Sequence, residues 1–146
     1  MKSLSRTLRL PLCLAALVAA APLMAQSRMV SPSQLPGYWI LLNRTVAVDV
    51  PIGGKNLDKP GCVAVSYTIG SDGLTRDVKV RKVVPASGLG PAAVSAVKAF
   101  KYGPSLTNHA EEPVATYYVV PFNSPDDPAK RTQLMAPCQL PGYDAG

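Results

Sequence analysis

Cys62 to Ile69 reads CVAVSYTI, Gly70 to Gly73 reads GSDG, and Leu74 to Val84 reads LTRDVKVRKVV. In the first run Val63, Val65, Tyr67 and Ile69 fall on one face, and Cys62, Ala64, Ser66 and Thr68 on the other. Period-2 alternation in β-branched and aromatic residues marks a half-buried strand. Asp72-Gly73 suits the positive φ of a tight hairpin turn. In the second run Leu74, Val78 and Val80 point one way, and Asp77, Lys79 and Arg81 the other. The stretch predicts a hairpin with one core face and one wet face.

Downstream, Pro85 to Gly90 reads as a loop, and Pro91 takes a first helical position, where its missing N–H costs nothing. PAAVSAVKAFKY (91–102) carries Val94, Val97 and Phe100/Lys101 on one stripe, with Ala93 and Ala96 beside it, which predicts about three helical turns. Gly103-Pro104 stops that helix. After the polar run 105–113, Val114 to Phe122 (VATYYVVPF) predicts a third strand, apolar on both faces. Pro121 cannot donate to a ladder, which suits an edge strand or a strand end. Upstream, Asn43-Arg44 divides Tyr38 to Val50 into an apolar patch and a run in which Val46, Val48 and Val50 alternate, a candidate additional strand. Gly53-Gly54-Lys55, in the loop 51–60, lacks the spacing and the following Ser/Thr of a phosphate loop. Strand, turn, strand, helix, strand is ββαβ: an α+β two-layer sandwich, a small antiparallel sheet with one packed helix.

The 146 residues are 47% hydrophobic and 16% charged, with 15 Pro, which allows one domain and argues against a coiled coil or helical bundle. Lys2, Arg6 and Arg9 precede an uncharged stretch, Leu10 to Ala25, that ends in small residues, so residues 1–25 are expected to be a secretory signal peptide and the protein exported. If that stretch stays uncut, it is instead an N-terminal membrane anchor. Three of the 15 Lys+Arg and none of the nine Asp+Glu precede residue 26, so the net charge falls from +6 to +3, too little to argue for nucleic acid. Export makes Cys62 and Cys138 a disulfide candidate. Residues 26–37 read as a flexible lead-in and 124–146 as an irregular tail. The single His109 has no positioned nucleophile or acid beside it, and Glu111-Glu112 and Asp126-Asp127 read as solvated turns. No catalytic residue, metal site or cofactor is expected, and the protein is read as a non-enzyme.

The motif Gly61-x-Val63-x-Val65-x-Tyr67-x-Ile69, then Asp72-Gly73, Asp77-Val78-x-Val80, the helix Ala92-Ala93-x-x-Ala96-Val97-Lys98-x-Phe100-x-Tyr102-x-Pro104, then Pro113-Val114 and Pro121-Phe122, resembles the TonB C-terminal domain family over roughly residues 50–123. Residues 38–123 are taken as that domain. The resemblance implies a periplasmic module, or with the leader uncut one anchored in the inner membrane and facing the periplasm, that grips an extended peptide of an outer-membrane TonB-dependent receptor, or of another envelope protein, by strand addition, in the service of transmembrane transport. The matching edge is the third strand, with Val114, Thr116, Tyr117, Tyr118, Val119 and Val120 as partner-binding residues. Tyr117 and Val119 would flank the added strand. Unlike the family's full transducers, residues 1–25 hold no His, and Phe100 stands where Trp is common. A short membrane-tethered transducer and a structural or inhibitory envelope protein are the alternatives. Edge strands also pair with themselves, which leaves a homodimer open.

Overall fold

A computed structural model describes residues 26–143. The expected signal segment lies outside the described residues. The chain forms β1 (Arg28–Met29), β2 (Trp39–Leu41), β3 (Gly61–Ile69), β4 (Thr75–Val84), α1 (Gly90–Lys98), β5 (Tyr102–Pro104), β6 (Val114–Phe122) and α2 (Pro128–Met135). The main sheet has the order β1-β6-β3-β4, and β2 pairs with β5 in a second, two-stranded sheet. Within this framework β3-β4-α1-β6 is the ββαβ sandwich that the sequence predicts.

The hairpin forms where the alternation places it, but β4 does not alternate strictly. Lys82 faces Ala64 while Val80 faces Val65, so Arg81 is an extra residue; a second shift falls near Asp77, whose φ is 53°. Each bulge changes the phase of the strand. The sequence carries the signal: the apolar spacing passes from two (Val78, Val80) to three (Val83), and Val83 packs on the core. Leu74 and Val80 are correspondingly 46% and 40% exposed. Gly73 closes the turn at φ 76°, with its Cα so close to the Tyr102 carbonyl that an added Cβ would lie 2.0 Å from that oxygen. Only glycine fits such a position.

The helix α1 packs Ala92, Ala93, Ala96 and Val97 against the sheet, while Val94 is half-buried to the side. It ends earlier than its pattern suggests. Asn43 clamps its C-terminus: the side-chain amide donates to the Ala99 carbonyl at 2.7 Å and accepts from the Lys101 N–H at 2.7 Å. Tyr102 N–H then donates to the Gly73 carbonyl, so residues 102–104 leave the helix as β5 and pair with β2. The apolar patch after Tyr38 thus becomes a strand, but Val46, Val48 and Val50 do not. Residues 44–50 run irregularly beside α1, tied through Asp49 to Ser95, and Val50 is 63% exposed. Alternation supplies a strand face but not a neighbouring edge.

The second face of the hairpin is dry on β3. Cys62, Ala64 and Ser66 are buried under α2 and the following 3-10 turn, Ala136–Cys138. Cys138 is bonded to Cys62 across a sequence separation of 76. The tail therefore holds a helix and a 3-10 turn, buries Cys138 and Tyr143, and is not irregular throughout. Its helix has a readable start, because the Asp127 carboxylate accepts from Ala129 and Lys130 N–H with Pro128 in the first turn. The expected flexible lead-in differs likewise: Val30 and Ser31 are buried, and Leu35–Gly37 forms a 3-10 turn. Burying Val30 stabilises that docking by roughly 1.5–3 kcal/mol.

Between α1 and the sheet, Tyr67, Phe100 and Tyr102 form a buried aromatic cluster with centroids 6.3–6.5 Å apart. The Tyr67 and Tyr102 hydroxyls bond each other at 2.6 Å. Burial raises the Tyr67 hydroxyl well above its usual value, and burial also pushes Tyr102 up to about 12.

Candidate functional site

All six partner-binding candidates lie on β6, which pairs along its full length with β3 on one side. Its other side is divided. Arg28 and Met29 of β1 pair in parallel with Val114 and Ala115, and Val30 N–H donates to the Ala115 carbonyl at 2.8 Å. Arg28 is held beyond by Tyr38 Oη at 2.9 Å and by Glu112 at 3.7 Å. The expectation of an open rim from Val114 onward is therefore corrected at its first two residues, where the chain's own lead-in sits.

The Val30–Ala115 bond sets the parity of everything that follows. Main-chain groups of a strand alternate between its two sides. Ala115, Tyr117, Val119 and Pro121 consequently turn theirs away from β3, and Val114, Thr116, Tyr118 and Val120 toward it. Pro121, which has no N–H, falls on the outward set, so it costs the ladder nothing. Among the described residues the main-chain groups of Tyr117 and Val119 have no hydrogen-bond partner. The open rim is short: it begins after Val30 turns away and ends at Pro121.

The side chains divide by face. Val114 and Thr116 are fully buried, and Thr116 Oγ1 has no partner among the described residues. Tyr118 is 38% exposed with its ring edge-on to Phe100, and Val120 packs on the main core. On the tail face, the Tyr117 hydroxyl donates to Gln139 Oε1 at 2.9 Å while its ring meets Tyr143, and Val119 packs on the Cys62–Cys138 cluster. The pair Tyr117-Tyr118 thus straddles the sheet, one ring on each side.

Beside them the edge of β6 borders a cavity of about 150 Å³. Tyr117, Tyr118 and Tyr102 line one part of it, and Pro32, Leu35, Pro36, Trp39 and Leu41 the rest. No charged side chain reaches it. The N-terminal part of this wall carries no alternation and only a short apolar patch, so sequence reasoning did not attach it to the site; Trp39, the sole tryptophan, was the available signal. The opposite edge of the sheet, β4, is bulged and bears Arg76, Lys79, Arg81 and Lys82, features that resist strand pairing.

The titratable candidates sit apart from this rim. His109 and Glu111 are exposed, Glu112 holds Arg28 and accepts the Trp39 indole N–H through its carbonyl, and Asp127 caps α2. Among the described residues, no three His, Cys, Asp or Glu side chains converge as metal ligands, and no helix is long and apolar enough to cross a membrane.

Comparison with known proteins gives three findings. A family model described as the Gram-negative bacterial TonB protein C-terminal matches residues 51–123. No curated protein matches the chain. Among solved structures, the solution NMR structure of the Pseudomonas aeruginosa TonB CTD is similar at 21% identity, covering 66% of this chain and 94% of that one, with a TM-score of 0.38. The family match spans half of the 146 residues and takes in the hairpin, the helix and the rim strand β6, and on that match the protein belongs to the TonB C-terminal family.

Proposed function

We propose that this protein is a non-enzymatic binding module of the periplasm that captures an extended segment of an outer-membrane receptor or another envelope protein by strand addition to β6. The observation that carries the reading is the pair of outward main-chain groups at Tyr117 and Val119, unpartnered among the described residues. A strand edge with free N–H and C=O groups is a template for a guest backbone. The lead-in supports the reading from within the chain, because Arg28–Met29 already occupies the adjoining part of the same edge as an added strand. Membership of the TonB C-terminal family makes a TonB-dependent receptor the first partner to test and gives the proposed link to transport.

The test is photocrosslinking in cells from a reactive residue at position 118, the exposed neighbour of Val119, with position 79 on β4 as the control edge. A protein captured from 118, absent from 79, and lost when the same probe is combined with Val119→Pro supports strand addition. Capture that survives Val119→Pro places the partner on another surface and sinks the reading.

A further inference from the structure

We infer that the cavity bordered by Tyr117, Tyr118, Leu35, Trp39 and Leu41 is a socket for one apolar side chain of the guest strand, and that it selects which extended segments the rim accepts. The inference rests on the strand-addition reading and deepens it.

The rim alone is a poor discriminator. It offers outward main-chain groups at only two residues before Pro121 ends it, and main-chain bonds are blind to sequence. Selection has to come from alternate guest side chains. The side chain beside Tyr118 would project to the α1 face of the sheet, where Trp39, Leu41 and Tyr102 belong to the main core or pack on it. At about 150 Å³ the cavity is of the size that holds a benzene-sized group. That admits Leu, Ile, Met or Phe and is too small for an indole.

The wall also excludes polar groups. Its polar atoms are mostly committed elsewhere: the Trp39 indole N–H donates to the Glu112 carbonyl, the Tyr102 hydroxyl bonds Tyr67, and the Tyr117 hydroxyl donates to Gln139. A polar guest side chain entering the socket would lose water and gain little, which is how a buried apolar site rejects it. The lead-in shows the same arrangement one step along the edge. Arg28–Met29 pairs with β6, and the next side chain, Val30, is buried in the same core cluster as Leu35 and Trp39. The guest would continue where Val30 departs, with its own apolar residue in the next socket.

The experiment uses capped heptapeptides, acetyl-Ser-Thr-Val-Xaa-Val-Thr-Ser-amide, with Leu, Ala, Asp or Trp at Xaa, titrated into the isotope-labelled full chain. Amide NMR shifts at Tyr117 and Val119 report the rim, and fluorescence of Trp39 reports the socket. The Leu peptide should move both signals and bind about ten- to thirty-fold more tightly than the Ala peptide, the share expected from burying a Leu side chain. The Asp and Trp peptides should bind no better than Ala. In Leu41→Phe, which fills the cavity, the Leu-over-Ala preference should shrink below about threefold while the Ala peptide still shifts Tyr117 and Val119. Rim shifts that are the same for all four peptides overturn the socket and leave strand addition standing. Peptides that leave Tyr117 and Val119 unmoved overturn strand addition and the socket with it.

Discussion

Gly73 and the Tyr67–Tyr102 pair are the residues on which local chemistry bears most directly. An Ala at position 73 would combine a left-handed backbone with a Cβ driven into the Tyr102 carbonyl. Gly73→Ala should therefore lower unfolding free energy by more than about 2 kcal/mol, read from urea midpoints. The tyrosine pair sets an alkaline limit. Both hydroxyls keep their protons in the folded state above the pH at which an unfolded tyrosine loses its own, near 10, and Tyr102 holds to about 12. Between those values the unfolded chain binds fewer protons than the folded one, so stability falls as pH rises. The urea midpoint should show no loss from this pair up to pH 9 and should drop steadily from pH 10 to 12. The double variant Tyr67→Phe/Tyr102→Phe should remove most of that drop. A wild-type midpoint that holds from pH 10 to 12 would contradict the account.

At the scale of elements, β6 has two unlike sides, and proline substitution reads the difference. Val119 turns its main-chain groups outward, so Val119→Pro removes a free N–H and no bond to β3. Tyr118 turns its own toward β3, so Tyr118→Pro breaks the ladder in a strand that β3 pairs on every residue. Val119→Pro should stay folded with a stability loss under about 1.5 kcal/mol, whereas Tyr118→Pro should lose about 3 kcal/mol or more by denaturant titration. Equal losses would show that the parity derived from the Val30–Ala115 bond is wrong. The same element shows how far sequence reading reached. VATYYVVPF was legible as a strand, and Pro121 pointed to an edge, because apolar length and a missing donor are local properties. That Arg28–Met29 covers its first two residues was not legible, because a two-residue parallel pairing leaves no periodic pattern in either partner.

Across the whole molecule, the lead-in and the tail convert a thin sandwich into a covered one. The lead-in closes one end of the β6 edge, and the tail covers the second face of β3, fixed by Cys62–Cys138. A crosslink spanning 76 positions contributes about 4.5 kcal/mol in the chain-entropy treatment. Cys62→Ser/Cys138→Ser should therefore lose about 2–5 kcal/mol, and hydrogen exchange should accelerate in Pro128–Cys138 before it does in β3. Uniform acceleration in both would mean that the tail is integral to the main core and not a separately fastened cover.

The sequence by itself determined the hairpin, the helix and the third strand, and with them the α+β class and the family; it offered Cys62 and Cys138 only as a candidate pair. Those features follow from side-chain periodicity, turn chemistry and composition, which act over a few residues or are set by residue type. Tertiary structure alone decided which edges and faces stay open. It brought Arg28–Val30 to β6, folded the tail over β3, turned residues 102–104 out of the helix to meet β2, and set Trp39 and Leu41 beside Tyr117 and Tyr118. These are encounters between segments tens of residues apart, and they depend on complementary shape and unsatisfied backbone groups that no local pattern records.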